Sequence, residues 1–137
     1  MALLAGIPLV SLLVAPALKP GKEAWVDLGP ASSVPENQPT AFSLSYQRID
    51  GWLESDVLNT VYAVRLPGQK LFVLSNICTH LGCPVRWDDK TRSFFCPCHG
   101  GVYDVAGRVL AGPPPRPLER YTYRITRGVL QVRVDAG

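Results

Sequence analysis

The sequence predicts an all-β fold after residue 18, and three observations support this prediction. Stretches rich in β-branched and aromatic residues alternate with turn signals along most of the chain. The dipeptides Pro67-Gly68 and Arg127-Gly128 each separate two such stretches, as hairpin turns do. No segment beyond the N-terminal run shows convincing helical periodicity. We therefore expect a mostly antiparallel β structure preceded by one hydrophobic helix.

The N-terminal run, residues 1–18, carries no charged side chain. A helix of this length would reach about 27 Å, slightly less than the hydrocarbon layer of about 30 Å. No basic stretch precedes it, as a secretory signal would require, although Ala15-Pro16-Ala17 resembles a small-residue cleavage site and keeps a removed signal as an alternative. We interpret residues 1–18 as a membrane anchor, whole or partial, and residues 19–23 as a hinge.

The remaining chain divides into short predicted strands. A Pro/Ser/Asn-rich loop over 29–39 separates the first two, and residues 41–47 alternate apolar and polar side chains as a half-buried strand does. We expect Trp25, Trp52 and Trp87 to pack in the core or between lobes. The predicted strands are 24–28, 41–47, 59–66, 70–75, 92–95, 102–105, 108–110, 121–126 and 129–134.

Composition fits one globular domain plus an anchor. The chain has 137 residues, of which 47% are hydrophobic, and this is enough for a single core. The net charge of +3 is mild, and the arginines of the last quarter are spread rather than clustered. Nothing in the sequence therefore indicates a nucleic-acid partner.

All four cysteines and both histidines fall into two short boxes, Cys-Thr-His-Leu-Gly-Cys at 78–83 and Cys-Pro-Cys-His-Gly-Gly at 96–101. Each box offers one thiolate and one imidazole from a tight loop. Such a set suits either a single zinc ion or a [2Fe–2S] cluster with two cysteines on one iron and two histidines on the other. The second cysteine of each box is left over, and these two thiols could form a disulfide between the loops.

The two boxes resemble those of Rieske iron–sulfur proteins, in the disulfide-containing branch of cytochrome bc-type complexes (menaquinol or plastoquinol–cytochrome c reductases). The segment Gly-Pro-Pro-Pro-Arg-Pro-Leu at 112–118 resembles the proline loop of that branch. The resemblance implies an antiparallel β sandwich with an inserted cluster-binding lobe. We expect a head over 24–137, with its base formed by 24–74 and 119–137 and its lobe by 75–118.

The resemblance also assigns the residues of the site. It implies one [2Fe–2S] cluster per chain, held by four ligands and flanked by a disulfide. The expected ligands are Cys78 and Cys96 on the inner iron and His80 and His99 on the outer iron, and Cys83 and Cys98 are the expected disulfide pair.

The function implied is that of a redox subunit, which is not catalytic alone. By resemblance, His99 hydrogen-bonds a quinol in the pocket of a cytochrome b-type subunit, Leu81 helps to dock that surface, and the electron passes to a c-type cytochrome. Imidazole ligands raise the cluster potential and couple the electron to a proton. A disulfide beside the cluster and an N-terminal anchor predict a head on the extracytoplasmic side of the plasma membrane.

Two positions near the second box are expected to tune the potential. Relatives of high potential carry a serine where this chain has Gly101, and the serine hydroxyl donates a hydrogen bond to a cluster sulfur. Tyr103 is retained and is expected to reach the sulfur of a ligand cysteine. The loss of one such bond places the potential in the middle of the Rieske range of roughly −150 to +300 mV, which favours menaquinol over ubiquinol.

Three alternatives remain from the sequence. A structural zinc site usually pairs Cys with Cys and His with His, whereas each box here mixes the two. A Rieske small subunit of a periplasmic oxidase, such as arsenite oxidase, shares the disulfide but has a molybdenum partner. A Rieske ferredoxin or oxygenase module lacks both the extra cysteines and a membrane anchor, so Cys83, Cys98 and residues 1–18 argue against it.

Overall fold

The computed structural model describes residues 22–137, which form eleven strands and one short 3-10 helix, Ala31–Ser33. The predicted all-β fold is confirmed. The expected anchor and most of the expected hinge lie outside the described residues, and from residue 22 onward no helix is long and apolar enough to cross a membrane. The strands are β1 Glu23–Pro30, β2 Thr40–Asp50, β3 Leu53–Val64, β4 Phe72–Ser75, β5 Arg86–Asp88, β6 Ser93–Cys96, β7 Gly101–Tyr103, β8 Val109–Ala111, β9 Arg120–Tyr121, β10 Tyr123–Thr126 and β11 Val129–Asp135.

The strands form three antiparallel sheets. An outer sheet has the order β1-β11-β10, a central sheet the order β2-β3-β4-β9, and a third sheet the order β5-β6-β7-β8. The third sheet is built entirely from chain that lies between β4 and β9. The third sheet is therefore an insertion between two neighbouring strands of the central sheet.

The central sheet is buried on both of its faces at β3 and β4. Because side chains alternate along a strand, Val61 and Val73 enter a core shared with the outer sheet, whereas Val64 and Leu74 enter a second core shared with the third sheet. This explains why the sequence of β4 is apolar without alternation. The second core contains Cys78, so it supports the cysteine boxes directly.

One predicted strand proves to be two. Residues 121–126 were expected to be continuous, but β9 pairs with β4 in the central sheet, whereas β10 pairs with β11 in the outer sheet. The chain changes sheets at Thr122. The predicted hairpin at Arg127-Gly128 is confirmed, and both residues have positive φ, 52° and 80°, as a type I′ turn requires.

The hairpin of β2 and β3 is longer than the sequence predicted. The pairing runs from Thr40 with Ala63 to Asp50 with Leu53, so the loop contains only Gly51 and Trp52. Gly51 has a φ of 66° at the first loop position, where a type II′ turn favours glycine. The distal half was missed because its polar residues obscure the alternation.

The expectation that all three tryptophans are packed is wrong for Trp52, which is 98% exposed at the tip of this hairpin, and for Trp25, which is 36% exposed and belongs to neither core. Trp87 does pack, edge-on against Phe94 in the second core. The Trp25 ring lies on the surface of the outer sheet, where the Arg124 guanidinium covers one of its faces. Trp52 differs because the tip extends beyond both cores.

Candidate metal centre

The two boxes form two similar loops. The first follows β4, and the second joins β6 to β7. The Gly82 N–H donates to the Cys78 carbonyl at 3.0 Å, and the Gly100 N–H donates to the Cys96 carbonyl at 3.1 Å. Both glycines have positive φ, 80° and 71°, a conformation that other residues rarely adopt. Each loop thus presents the first cysteine of its box at the base and the histidine further out.

Cys78 and Cys96 are free thiols, and both are buried. Burial opposes ionisation of Cys78, but hydrogen bonds from the Tyr103 hydroxyl and from the backbone of His80 and Leu81 outweigh it and lower the pKa of this thiol. Burial and the neighbouring Cys78 raise the pKa of Cys96. The two thiols are therefore neighbours in an environment that prepares one of them for the thiolate form that binds metals.

The two imidazoles lie together on the outer side of the loops. His80 is half-buried and His99 is exposed. Their ring centroids are 4.9 Å apart, with an interplanar angle of 88°. The buried Nδ1 of His80 has no hydrogen-bond partner among residues 22–137. Buried polar atoms rarely remain without a partner, and a metal ion bound at this nitrogen would supply the missing partner.

The predicted disulfide between Cys83 and Cys98 is present and ties the two loops together. The sulfurs of Cys83, Cys96 and Cys98 all lie within 4.8 Å of one another, which by distance alone resembles a metal site. Two of these sulfurs are bonded to each other and have no thiolate to offer. The donors available to a metal are therefore the two free thiols and the two imidazoles.

Tyr103 connects the first box to the core. Its hydroxyl lies 3.2 Å from Cys78 Sγ, as the sequence predicted for a ligand cysteine, and it accepts a hydrogen bond from the Thr79 N–H at 3.1 Å. Tyr103 itself is fully buried. The ring therefore holds its hydroxyl in a fixed position beside the sulfur.

The proline loop, residues 112–118, covers both boxes. Thr79 Oγ1 donates to the Arg116 carbonyl at 2.6 Å, which joins the loop to the first box. A Cβ on Gly101 would lie 2.7 Å from Pro114 Cγ, so the loop rests directly on the second box. Thr79 and Pro114 are contacts that sequence reasoning missed, since neither residue type by itself indicates a partner so distant along the chain.

The donor set fits an iron–sulfur cluster. Two buried thiols, two outward imidazoles and an unpaired imidazole nitrogen match the two-cysteine, two-histidine ligation of a Rieske-type [2Fe–2S] cluster. Zinc could use the same donor atoms, so chemistry alone does not choose between the two. Fold and site together indicate a small electron carrier with mixed cysteine and histidine ligation.

Comparison with known proteins identifies the family. The model of the Rieske [2Fe-2S] domain matches residues 24–122. The chain is 35% identical over 118 residues to the cytochrome b6-f complex iron-sulfur subunit of Chlorobaculum thiosulfatiphilum, covering 86% of this chain and 58% of that one. It is 33% identical over 129 residues to the menaquinol:cytochrome c reductase iron-sulfur subunit of Bacillus subtilis (strain 168), covering 90% of this chain and 76% of that one.

A solved structure agrees with these relatives. A chain of a structure described as hyperthermophilic respiratory Complex III superposes with a TM-score of 0.52 and 30% identity, covering 92% of this chain and 90% of that one. The chain therefore belongs to the Rieske [2Fe–2S] domain family, and its cofactor is a [2Fe–2S] cluster. It spans 58% of the length of the Chlorobaculum relative.

Proposed function

We propose that this chain is the electron-transfer subunit of a quinol:cytochrome c oxidoreductase and carries electrons from quinol to a c-type cytochrome through its bound [2Fe–2S] cluster. The observation that carries the proposal is the arrangement of the site, with buried thiols beneath two imidazoles, of which His99 is exposed. The similarity to iron-sulfur subunits of cytochrome b6-f and menaquinol:cytochrome c reductase complexes supports it over a role in a periplasmic oxidase.

The four ligands would bind the cluster at two depths below the protein surface. Cys78 and Cys96 would hold the inner iron, and His80 and His99 would hold the outer iron. When bound, the cluster supplies a one-electron acceptor at a potential raised by neutral imidazole ligands. The disulfide would keep the two loops at a fixed separation.

At the surface, His99 is the group that would meet the substrate. Its exposed imidazole would hydrogen-bond the quinol hydroxyl in the pocket of a cytochrome b-type subunit and take up its proton. Leu81, 71% exposed within the first box, would contribute an apolar contact to that docking surface. Quinol oxidation would then belong to the assembled complex, because this chain supplies only one wall of the pocket.

Menaquinol is the quinol that we favour. Gly101 provides no hydroxyl to stabilise negative charge on a cluster sulfur, which supports a potential in the middle of the Rieske range. A quinol of low potential is the matching donor.

The same proposal divides the chain into three parts. Residues 1–18 would anchor it in the plasma membrane, residues 19–23 would act as a hinge, and residues 24–137 would form the head on the extracytoplasmic side. Within the head, 75–118 would be the cluster-binding lobe, set on a base of 24–74 and 119–137. The disulfide supports the extracytoplasmic location, since such bonds persist in oxidising compartments.

The test uses the full chain assembled with its cytochrome subunits. We expect a mixed His/Cys [2Fe–2S] electron paramagnetic resonance signal after dithionite reduction, a potential that falls as pH rises past neutral, and quinol oxidation that a quinol-pocket inhibitor blocks. Leu81→Ala should slow quinol oxidation and leave the potential unchanged. Ile125→Ala, an exposed residue of the outer sheet, is the control. A sample with zinc and no iron, or activity insensitive to the inhibitor, would overturn the proposal.

A further inference from the structure

The tip of the β2–β3 hairpin exposes large apolar side chains. Trp52 is 98% exposed, Leu53 is 62% exposed and Ile49 is 41% exposed. Single exposed apolar residues are common on protein surfaces, but these three lie within one tight turn and its flanking positions. The last residue of β2 that is fully buried is Leu44, so the distal part of the hairpin extends past the core. Such a ribbon gains little from its own packing.

Backbone hydrogen bonds place this tip beside the first described residue. The Ile49 N–H donates to the Ala136 carbonyl at 2.9 Å, and the Ala136 N–H donates to the Lys22 carbonyl at 2.7 Å. The chain therefore enters the head next to the hairpin tip. Immediately before this point in the sequence is the uncharged run of residues 1–18.

The length of the connection limits how far the tip can be from that run. From Leu18 to Lys22 the chain advances four residues, which span at most about 14 Å when fully extended. If residues 1–18 lie in a bilayer, Lys22 is held within that distance of the point where the apolar run ends. Each headgroup region adds only about 5–8 Å to the hydrocarbon layer, so a hairpin beside Lys22 reaches it when the connection is less than fully extended.

We propose that the hairpin tip, Trp52 and Leu53, inserts into the headgroup region of a lipid bilayer beside the N-terminal anchor, at the end of the head that adjoins the proposed hinge. The inference rests on the membrane attachment proposed above. Tryptophan suits this environment because its indole has an apolar ring and an N–H that can remain hydrated. A neighbouring leucine adds apolar area without a polar group to satisfy.

The charges near the tip indicate which lipid surface it would meet. Asp50 and Glu54 flank the turn, and Asp56 follows on β3, whereas Arg48 is the nearby cation on this hairpin. The distal hairpin is thus acidic and would not be drawn to anionic headgroups. We therefore expect a contact driven by the two apolar side chains, to a zwitterionic surface.

The experiment measures whether Trp52 touches lipid. The full chain is incorporated into phosphatidylcholine vesicles whose acyl chains carry bromine, which quenches nearby tryptophan emission, and into unlabelled vesicles. We expect bromine-dependent quenching in the wild type and in the control variants Trp25→Phe and Trp87→Phe. In Trp52→Phe this quenching should be lost, because the reporter at the tip has been removed. Vesicle flotation on the same samples reports membrane attachment independently.

The outcomes separate this inference from the proposed function. If the chain floats with the vesicles but Trp52→Phe is quenched as much as the wild type, the tip does not meet lipid and membrane attachment still stands. If the Trp52 emission instead shifts only when the cytochrome subunits are added, the tip docks on protein and the inference is wrong. A chain that fails to float overturns the proposed membrane attachment and this inference with it, but leaves the electron-transfer proposal to its own test.

Discussion

At the scale of single residues, the reduction potential of the site depends on which groups donate hydrogen bonds to the ligand sulfurs. Thr79 uses its hydroxyl hydrogen on the Arg116 carbonyl and its backbone N–H on the Tyr103 oxygen. The Tyr103 hydroxyl lies 3.2 Å from both Thr79 Oγ1 and Cys78 Sγ, so either atom can accept its hydrogen. A metal-ligating cysteine is a thiolate, which is the stronger acceptor, so we expect the hydrogen to point at Cys78 Sγ in the cluster-loaded protein. Hydrogen bonds to ligand sulfurs stabilise the reduced, more negative cluster, so this contact should raise the potential.

Tyr103→Phe tests this contact. A hydrogen bond that favours the reduced state by about 1 kcal/mol corresponds to about 40 mV for one electron, so we expect the potential to fall by roughly that amount. Voltammetry of the cluster-loaded chain measures it. Tyr62→Phe, a tyrosine of the same core, is the matched control. An equal fall in both variants would mean that the effect is packing and not the hydrogen bond.

Gly101 has two consequences that only the structure separates. It lacks the hydroxyl that the family resemblance predicts for relatives of high potential, and it also lets Pro114 approach to where a Cβ would be 2.7 Å from the ring. Any side chain at this position must displace the proline loop. A serine at this position would therefore change the potential in two ways, by adding a hydrogen bond and by displacing the proline loop.

Comparing Gly101→Ser with Gly101→Ala isolates the hydroxyl. Both variants add the same Cβ against Pro114, and only serine can donate to a cluster sulfur. We expect the serine variant to have a potential about 40 mV above that of the alanine variant, from one hydrogen bond of about 1 kcal/mol. Identical potentials in pH-controlled voltammetry would show that the missing hydroxyl is not what sets the potential.

At the scale of elements, β4 joins the two cores. Val73 and Leu74 are adjacent and fully buried, yet Val73 faces the core shared with the outer sheet and Leu74 faces the second core, shared with the third sheet. The chain runs directly from β4 into the first box, so the packing of this strand fixes where Cys78 begins its loop. Stability and cluster retention are therefore coupled through one strand.

Leu74→Ala tests whether stability and cluster retention are coupled in this way. Removal of a fully buried leucine side chain typically costs 2–5 kcal/mol, so we expect a loss of about this size in the free energy of unfolding and earlier cluster loss on heating. Thermal bleaching of the visible absorption reports the cluster, and circular dichroism reports the fold. Leu58→Ala, at a residue 74% exposed, is the control. It should change the free energy of unfolding by less than about 0.5 kcal/mol and leave the temperature of cluster loss nearly unchanged. Equal effects would contradict the two-core arrangement.

At the scale of the whole molecule, the sequence predicted what depends on local pattern. Periodicity and turn residues identified most of the strands, although not β5, and the two boxes supplied the candidate donors, because each of these signals lies within a few neighbouring residues. The exchange between sheets at Thr122 was not predictable, since β9 and β10 have similar composition and differ only in their partners. The exposure of Trp52 was missed for a related reason, because residue type does not reveal how far a hairpin extends past its core.

The disulfide is the feature that connects the two loops independently of the cores. Cys83 and Cys98 are 15 residues apart, and closing such a loop contributes about 3 kcal/mol in the chain-entropy model. The double variant Cys83→Ser/Cys98→Ser should therefore lose about as much stability as Leu74→Ala in denaturant unfolding. It should nevertheless release its cluster faster at low temperature, because the native loops are then free to separate while the cores stay packed. Equal rates of bleaching at matched stability would instead mean that cluster release follows global unfolding, and that the disulfide acts only by restricting the unfolded chain.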